Sequence, residues 1–115
     1  MGKEQFIRIE RLIGEDKVKE LSKKRVTVAG VGAVGGFAIE ALARSGVGSI
    51  GILDFDSVAE SNINRQIIAL HSTVGRLKTD VMRERLLDIN PEIKVDTTLF
   101  FFLTITTICF FQIQI

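Results

Sequence analysis

Apolar residues Phe6, Ile9, Leu12, Ile13, Val18 and Leu21 recur at helical spacing between Gln5 and Ser22, and Gly14 splits that run into two short helices. The pattern then changes. Arg25 to Gly30 (RVTVAG) is a β-branched run flanked by basic residues and glycine, which predicts a buried parallel strand. Helical spacing returns from Ala33 to Ser45, with Val34, Phe37, Ala38, Ala41 and Leu42 on one face and Gly46 as the stop. A second strand, SIGILDFD, is expected from Ser49 to about Phe55.

Ser57 to Thr73 holds no sustained period and predicts a loop with at most one short helical turn, a length that points to function rather than mere connection. Lys78 to Ile89 (KTDVMRERLLDI) is amphipathic, with Val81, Met82, Arg85, Leu86 and Ile89 near one face, and Pro91 forbids its extension. Ile93 to Thr97 predicts a third strand. The order strand, helix, strand, loop, helix, strand is half of a doubly wound α/β fold, a Rossmann-like parallel sheet. Right-handed crossovers would set its strand order as 3-2-1.

Composition narrows the class. A chain of 115 residues has room for one small domain, and it can bury about two thirds of its unfolded surface in one core. Lys and Arg number 15 against 14 Asp and Glu, so partners must be argued from local sites rather than from overall charge. The one cysteine, Cys109, cannot form an internal disulfide, and no Cys/His cluster offers a metal site, which fits a reducing compartment. The amino end, MGKEQFIRIE, carries charges where a signal peptide needs its apolar core, and Phe6 breaks the myristoylation pattern. A cytoplasmic location is expected.

The charge is not evenly spread. All 29 charged residues lie between Lys3 and Asp96, whereas residues 97–115 (TTLFFFLTITTICFFQIQI) hold twelve apolar residues, five Thr and two Gln. The expected division is therefore a charged α/β part at 1–96 and an atypical uncharged tail at 97–115. That tail is a weak membrane span, with its five Thr and no flanking basic cluster. Its repeated Phe, Thr and Ile read as an aggregation-prone strand, and its abrupt composition as a frameshifted or truncated frame or as a strand inserted where the other half of the sheet would pack.

The chemistry is concentrated in two places. Gly30-Val31-Gly32-Ala33-Val34-Gly35 lies directly after a strand and directly before a helix. In that context Gly30 permits a tight turn, Gly32 lets phosphate approach the backbone, and Gly35 lets the helix pack close to the sheet. Asp54, 19 residues past Gly35 and at the end of the second strand, stands where an acidic residue reaches a ribose. These features suit a dinucleotide or ATP equally. The next segment separates the two, because Asp54-Phe55-Asp56 leads into Ser61-Asn62-Ile63-Asn64-Arg65-Gln66, with Lys78 13 residues after Arg65. Attack on the α-phosphate of ATP builds negative charge that cations must offset, with Arg supplying a planar fork and Lys a point charge. An NAD-dependent oxidoreductase half-domain would leave its second strand for a crossover helix without gathering these groups.

With GVGAVGG, ILDFDSVAESNINRQ, STVGRLK and LLDINPEIKV in order, the chain resembles the ubiquitin-activating-enzyme-like adenylating superfamily over residues 6 to 96. The N-I-N-R-Q variant and the run V-M-R-E-R-L-L-D-I-N-P-E resemble most the tRNA threonylcarbamoyladenosine dehydratase branch. The resemblance implies ATP and Mg2+ as cofactors, with the Mg2+ aspartate in a later part of the fold that has no counterpart here. It implies that Asp54 binds ribose, that Arg65 and Lys78 contact the phosphates with Asn62 in support, and that Arg11 reaches a partner subunit's nucleotide in a homodimer. The substrate implied is a threonylcarbamoyl carboxylate on tRNA, or, in sibling branches, the C-terminal glycine of a ubiquitin-like sulfur carrier. The 115 residues alone are expected not to complete that reaction, and a non-catalytic nucleotide-binding fragment is the further alternative. Asp56 reads as an indirect metal contact or a turn cap, and His71 as an exposed loop histidine. Cys109 does not read as a thioester cysteine, because its surroundings match no family motif.

Overall fold

The computed structural model describes residues 3–99 and 110–114. Two short helices, α1 (Ile7–Ile13) and α2 (Glu15–Ser22), follow a 3-10 turn at Lys3–Phe6, and Gly14 breaks them apart at φ 91°. Phe6 and Val18 are buried and anchor this region, whereas α1 itself buries no residue and leaves Leu12 exposed. The apolar spacing there was real, but of its residues only Phe6 and Val18 are buried, with Leu21 half-buried against the core.

Strands β1 (Arg25–Ala29), β2 (Ser49–Leu53) and β3 (Lys94–Thr98) pair in parallel, with Arg25 opposite Ser49 and Ser49 opposite Lys94. A fourth strand, β4 (Phe110–Gln114), runs antiparallel to β1, so the sheet order is β3-β2-β1-β4. The expected 3-2-1 order of the parallel strands is found, and part of the tail lies on the far side of β1. The composition break at residue 97 falls within β3. Along that outer strand Lys94, Asp96 and Thr98 are exposed while Val95 and Thr97 are half-buried, so the open edge carries charge that discourages further pairing.

Helices α3 (Ala33–Ser45) and α4 (Lys78–Ile89) touch each other, and their residues join Val26, Val28, Ile50 and Ile52 of the sheet in one core. On α4 the expected face is the buried one, with Val81, Met82 and Leu86 in the interior. On α3 it is not. Val34 and Phe37 are exposed at 64% and 53%, and the buried side carries Gly35, Gly36, Ile39, Glu40 and Ala43. The packed side of α3 is nearly opposite the apolar stripe, because two glycines that add no hydropathy permit close approach and a glutamate is buried among them. A Cβ on Gly36 would lie 3.3 Å from the Ile67 side chain, so the loop that follows β2 packs on this helix as well.

That loop is held shut at its base. Val58 N–H donates to the Arg76 carbonyl at 2.8 Å, Gly75 N–H to the Val58 carbonyl at 2.8 Å, and Lys78 N–H to the Asp56 carbonyl at 3.0 Å. Within it only Glu60–Asn62 forms a short 3-10 helix, as the sequence pattern predicts. No helix among the described residues is long and apolar enough to cross a membrane.

Candidate functional site

Parallel pairing of Ala29 with Leu53 brings the carboxyl ends of β1 and β2 side by side, the place where open α/β sheets bind ligands. Gly30 leaves β1 at φ 97°, a left-handed conformation that disfavours other residues, and its N–H donates to the Leu53 carbonyl at 2.7 Å. Gly32 caps α3 with extended backbone. A Cβ added at Gly32 would meet no atom within 4 Å, so internal packing does not demand glycine there. Open space beside the first N–H groups of a 13-residue helix suits an anion. Gly35, one turn on, is buried.

Asp54 is buried at 8% exposure and ties this turn to the sheet. Its Oδ2 accepts the Val31 N–H at 2.7 Å, and its Oδ1 accepts the Asp56 N–H at 2.8 Å. The Asp56 carbonyl accepts the Lys78 N–H, and the Lys78 ammonium sits 3.9 Å from Asp56 Oδ2. A continuous hydrogen-bonded path thus joins the glycine-rich turn, Asp54, Asp56 and the start of α4. Lys78 is buried, although a lone lysine in sequence is usually a solvated charge.

The remaining expected residues are less closely drawn in. Asn62 Oδ1 accepts the Ala59 N–H at 2.9 Å and closes the 3-10 turn, and the Asn62 carbonyl accepts the Arg65 and Gln66 N–H groups. The Arg65 guanidinium is exposed and bonds locally, to the Ser61 carbonyl at 3.1 Å and to Asn64 Oδ1 at 2.9 Å. Arg11 lies exposed on α1, with no hydrogen bond or ion pair among the described residues. His71 is exposed, as expected, and Cys109 falls outside the described residues.

Three features escaped the sequence reading. The pairing of Asp56 with Lys78 is one. Another is Gln66, buried with its Oε1 unpartnered among the described residues. The third is Glu40, whose Oε1 accepts Arg85 Nε at 2.7 Å and Arg44 Nη2 at 3.3 Å. Arg85 on the inner face of α4 was the available signal, because an arginine facing a core requires an acid nearby. A cleft of about 420 Å3 opens at the opposite, amino-terminal end of the strands, beside Lys23, Lys24, Asn90 and Lys94. Helices α2, α3 and α4 all end there, so these lysines face the negative ends of three helices rather than a phosphate cradle.

The sequence profile of the ThiF family matches residues 5–106. A tRNA threonylcarbamoyladenosine dehydratase of Bacillus subtilis is 54% identical over 91 residues, which is 79% of this chain and 36% of that protein. A probable adenylyltransferase/sulfurtransferase, MoeZ, of Mycobacterium tuberculosis is 46% identical over 83 residues, 72% of this chain and 21% of that protein. Among solved structures, the E. coli tRNA N6-threonylcarbamoyladenosine dehydratase TcdA in complex with ATP superposes with a TM-score of 0.82 at 43% identity. It covers 84% of this chain and 40% of that one. The chain spans about a third of the length of the dehydratases it matches.

Proposed function

The chain belongs to the ThiF family, and from that premise we propose that Gly30, Gly32, Gly35, Asp54, Asn62, Arg65 and Lys78 bind ATP for the adenylation of a carboxylate. The substrate we assign is threonylcarbamoyladenosine on tRNA, acted on in the cytoplasm by a homodimer in which Arg11 reaches the partner's nucleotide. The observation that carries this reading is the hydrogen-bonded path from Val31 through Asp54 and Asp56 to Lys78. It supports the reading because Val31, Asp54, Asp56 and Lys78 come together at the carboxyl ends of β1 and β2. The fit to a nucleotide is chemical as well as spatial: Gly32 leaves room for phosphate, and each Asp54 oxygen keeps a lone pair for a ribose hydroxyl.

In the reaction a carboxylate oxygen attacks the α-phosphorus, a P–O bond forms, and the bond to the bridging oxygen breaks to release pyrophosphate. Negative charge grows on the departing group, and Lys78 and Arg65 offset it. To do so the exposed Arg65 side chain must give up its bonds to Ser61 and Asn64. The activated carboxyl then cyclises as AMP departs, with net loss of water. Among the described residues no three His, Cys, Asp or Glu stand together as a metal centre.

A second reading, adenylation of the C-terminal glycine of a ubiquitin-like sulfur carrier, draws support from the likeness to MoeZ. ATP–pyrophosphate exchange with threonylcarbamoylated tRNA and with a carrier protein, run with a longer ThiF-family protein bearing these residues, separates the two. Exchange with the tRNA alone is expected; exchange with the carrier alone would replace the first reading by the second.

A further inference from the structure

Lys78 keeps only 8% of its side chain exposed, and an ammonium in such a place needs a counter-charge. Among the described residues the carboxylate within 4 Å is that of Asp56, at 3.9 Å. That separation is an ion pair and not a hydrogen bond, so the ammonium protons are not committed to Asp56. Asp56 itself is fixed at both backbone ends, by its N–H on Asp54 Oδ1 and its carbonyl on the Lys78 N–H. Its carboxylate is 56% exposed and makes no other ion pair among the described residues.

We propose that Asp56 is a positioning residue that serves as the counter-ion of Lys78 while no phosphate is bound and yields it when a phosphate arrives. This inference rests on the reading of Lys78 as a phosphate contact. Its consequence is competition: the free-state pair must be given up when ATP binds, so Asp56 weakens the binding of phosphate-bearing ligands and leaves adenosine untouched. Because the Asp56 carboxylate is largely solvated, the effect is that of an exposed pair and shrinks with salt.

The test is calorimetric titration of the full chain with adenosine, AMP and ATP, with and without Mg2+, at low and high salt. Asp56→Asn is expected to tighten ATP about two- to fivefold at low salt, the fold-change of such a pair. Adenosine affinity should stay the same, which also shows that the variant is folded. In a Lys78→Ala background the tightening should vanish. If Lys78→Ala leaves ATP affinity unchanged, the phosphate reading of Lys78 fails and the inference falls with it. If Lys78→Ala weakens ATP but Asp56→Asn fails to tighten it, the inference alone is overturned. Tightening that survives without Lys78 would instead mean simple repulsion between Asp56 and phosphate. Weakening seen only with Mg2+ would mean a metal contact, and both outcomes overturn the counter-ion role.

Discussion

At Asp54 each carboxylate oxygen already accepts one backbone N–H, from Val31 and from Asp56, so the residue shapes the turn it is expected to serve. Asp54→Ala should therefore have two effects. Nucleotide affinity falls about fivefold to tenfold through loss of a ribose acceptor. Stability falls by about 2 kcal/mol, because the Val31 N–H is left buried without a partner. Calorimetry and urea unfolding read the two separately, and an unchanged affinity would show that the end of β2 does not hold ribose. Asp54 was legible in the sequence because a strand, a turn and a helix of ordinary length fix its distance from Gly35. The pairing of Asp56 with Lys78 was not legible, since 21 residues of mostly irregular chain separate them and only the closure of 56–58 on 75–78 brings them together.

Among the elements, α4 was read correctly and α3 was read on the wrong face. Apolar spacing locates a buried stripe when side-chain hydropathy drives the packing, as it does for Val81, Met82 and Leu86. On α3 the contact is made by Gly35, Gly36, Ile39 and Ala43, so Ile39 is its one large apolar residue, with Glu40 held beside it by Arg85 and Arg44. Backbone proximity and a buried charge leave no apolar signature. Arg85→Ala is expected to destabilise the fold by about 2 kcal/mol in urea unfolding, since it leaves the Glu40 carboxylate poorly paired in the interior; a loss near zero would mean that Arg44 and water suffice. At the start of α4, Arg76 donates to both oxygens of Glu84, at 3.0 Å and 2.5 Å. This hydrogen bond is the main cause that holds the exposed Glu84 carboxyl below its usual range; slight desolvation opposes it and the Arg76 charge adds to it. A lowered folded-state value means that the contribution is present above the unfolded value of about 4.3 and is lost as pH falls through the folded value. The urea midpoint should decline below about pH 4.3, and Glu84→Gln should flatten that decline. An identical acid limb in the variant would remove Glu84 from the account.

For the whole molecule, the parallel half-sheet and its order were legible because each crossover leaves a distinct period in the sequence. The sequence leaves the course of residues 110–114 open, because an uncharged run of Phe, Thr and Ile suits several environments equally well. Backbone pairing with β1 assigns those residues to the sheet. The proposed ligand site draws on the parallel part alone, since Gly30, Asp54 and Lys78 all stand at the carboxyl ends of β1 and β2 or just beyond the loop that follows them. The central claim is that this edge was built for a triphosphate and not for a dinucleotide. Calorimetric titration of the chain with ATP and with NAD under the same buffer tests it most directly. ATP should bind more tightly than NAD, and Lys78→Ala should erase most of the difference. NAD binding more tightly than ATP would contradict the account.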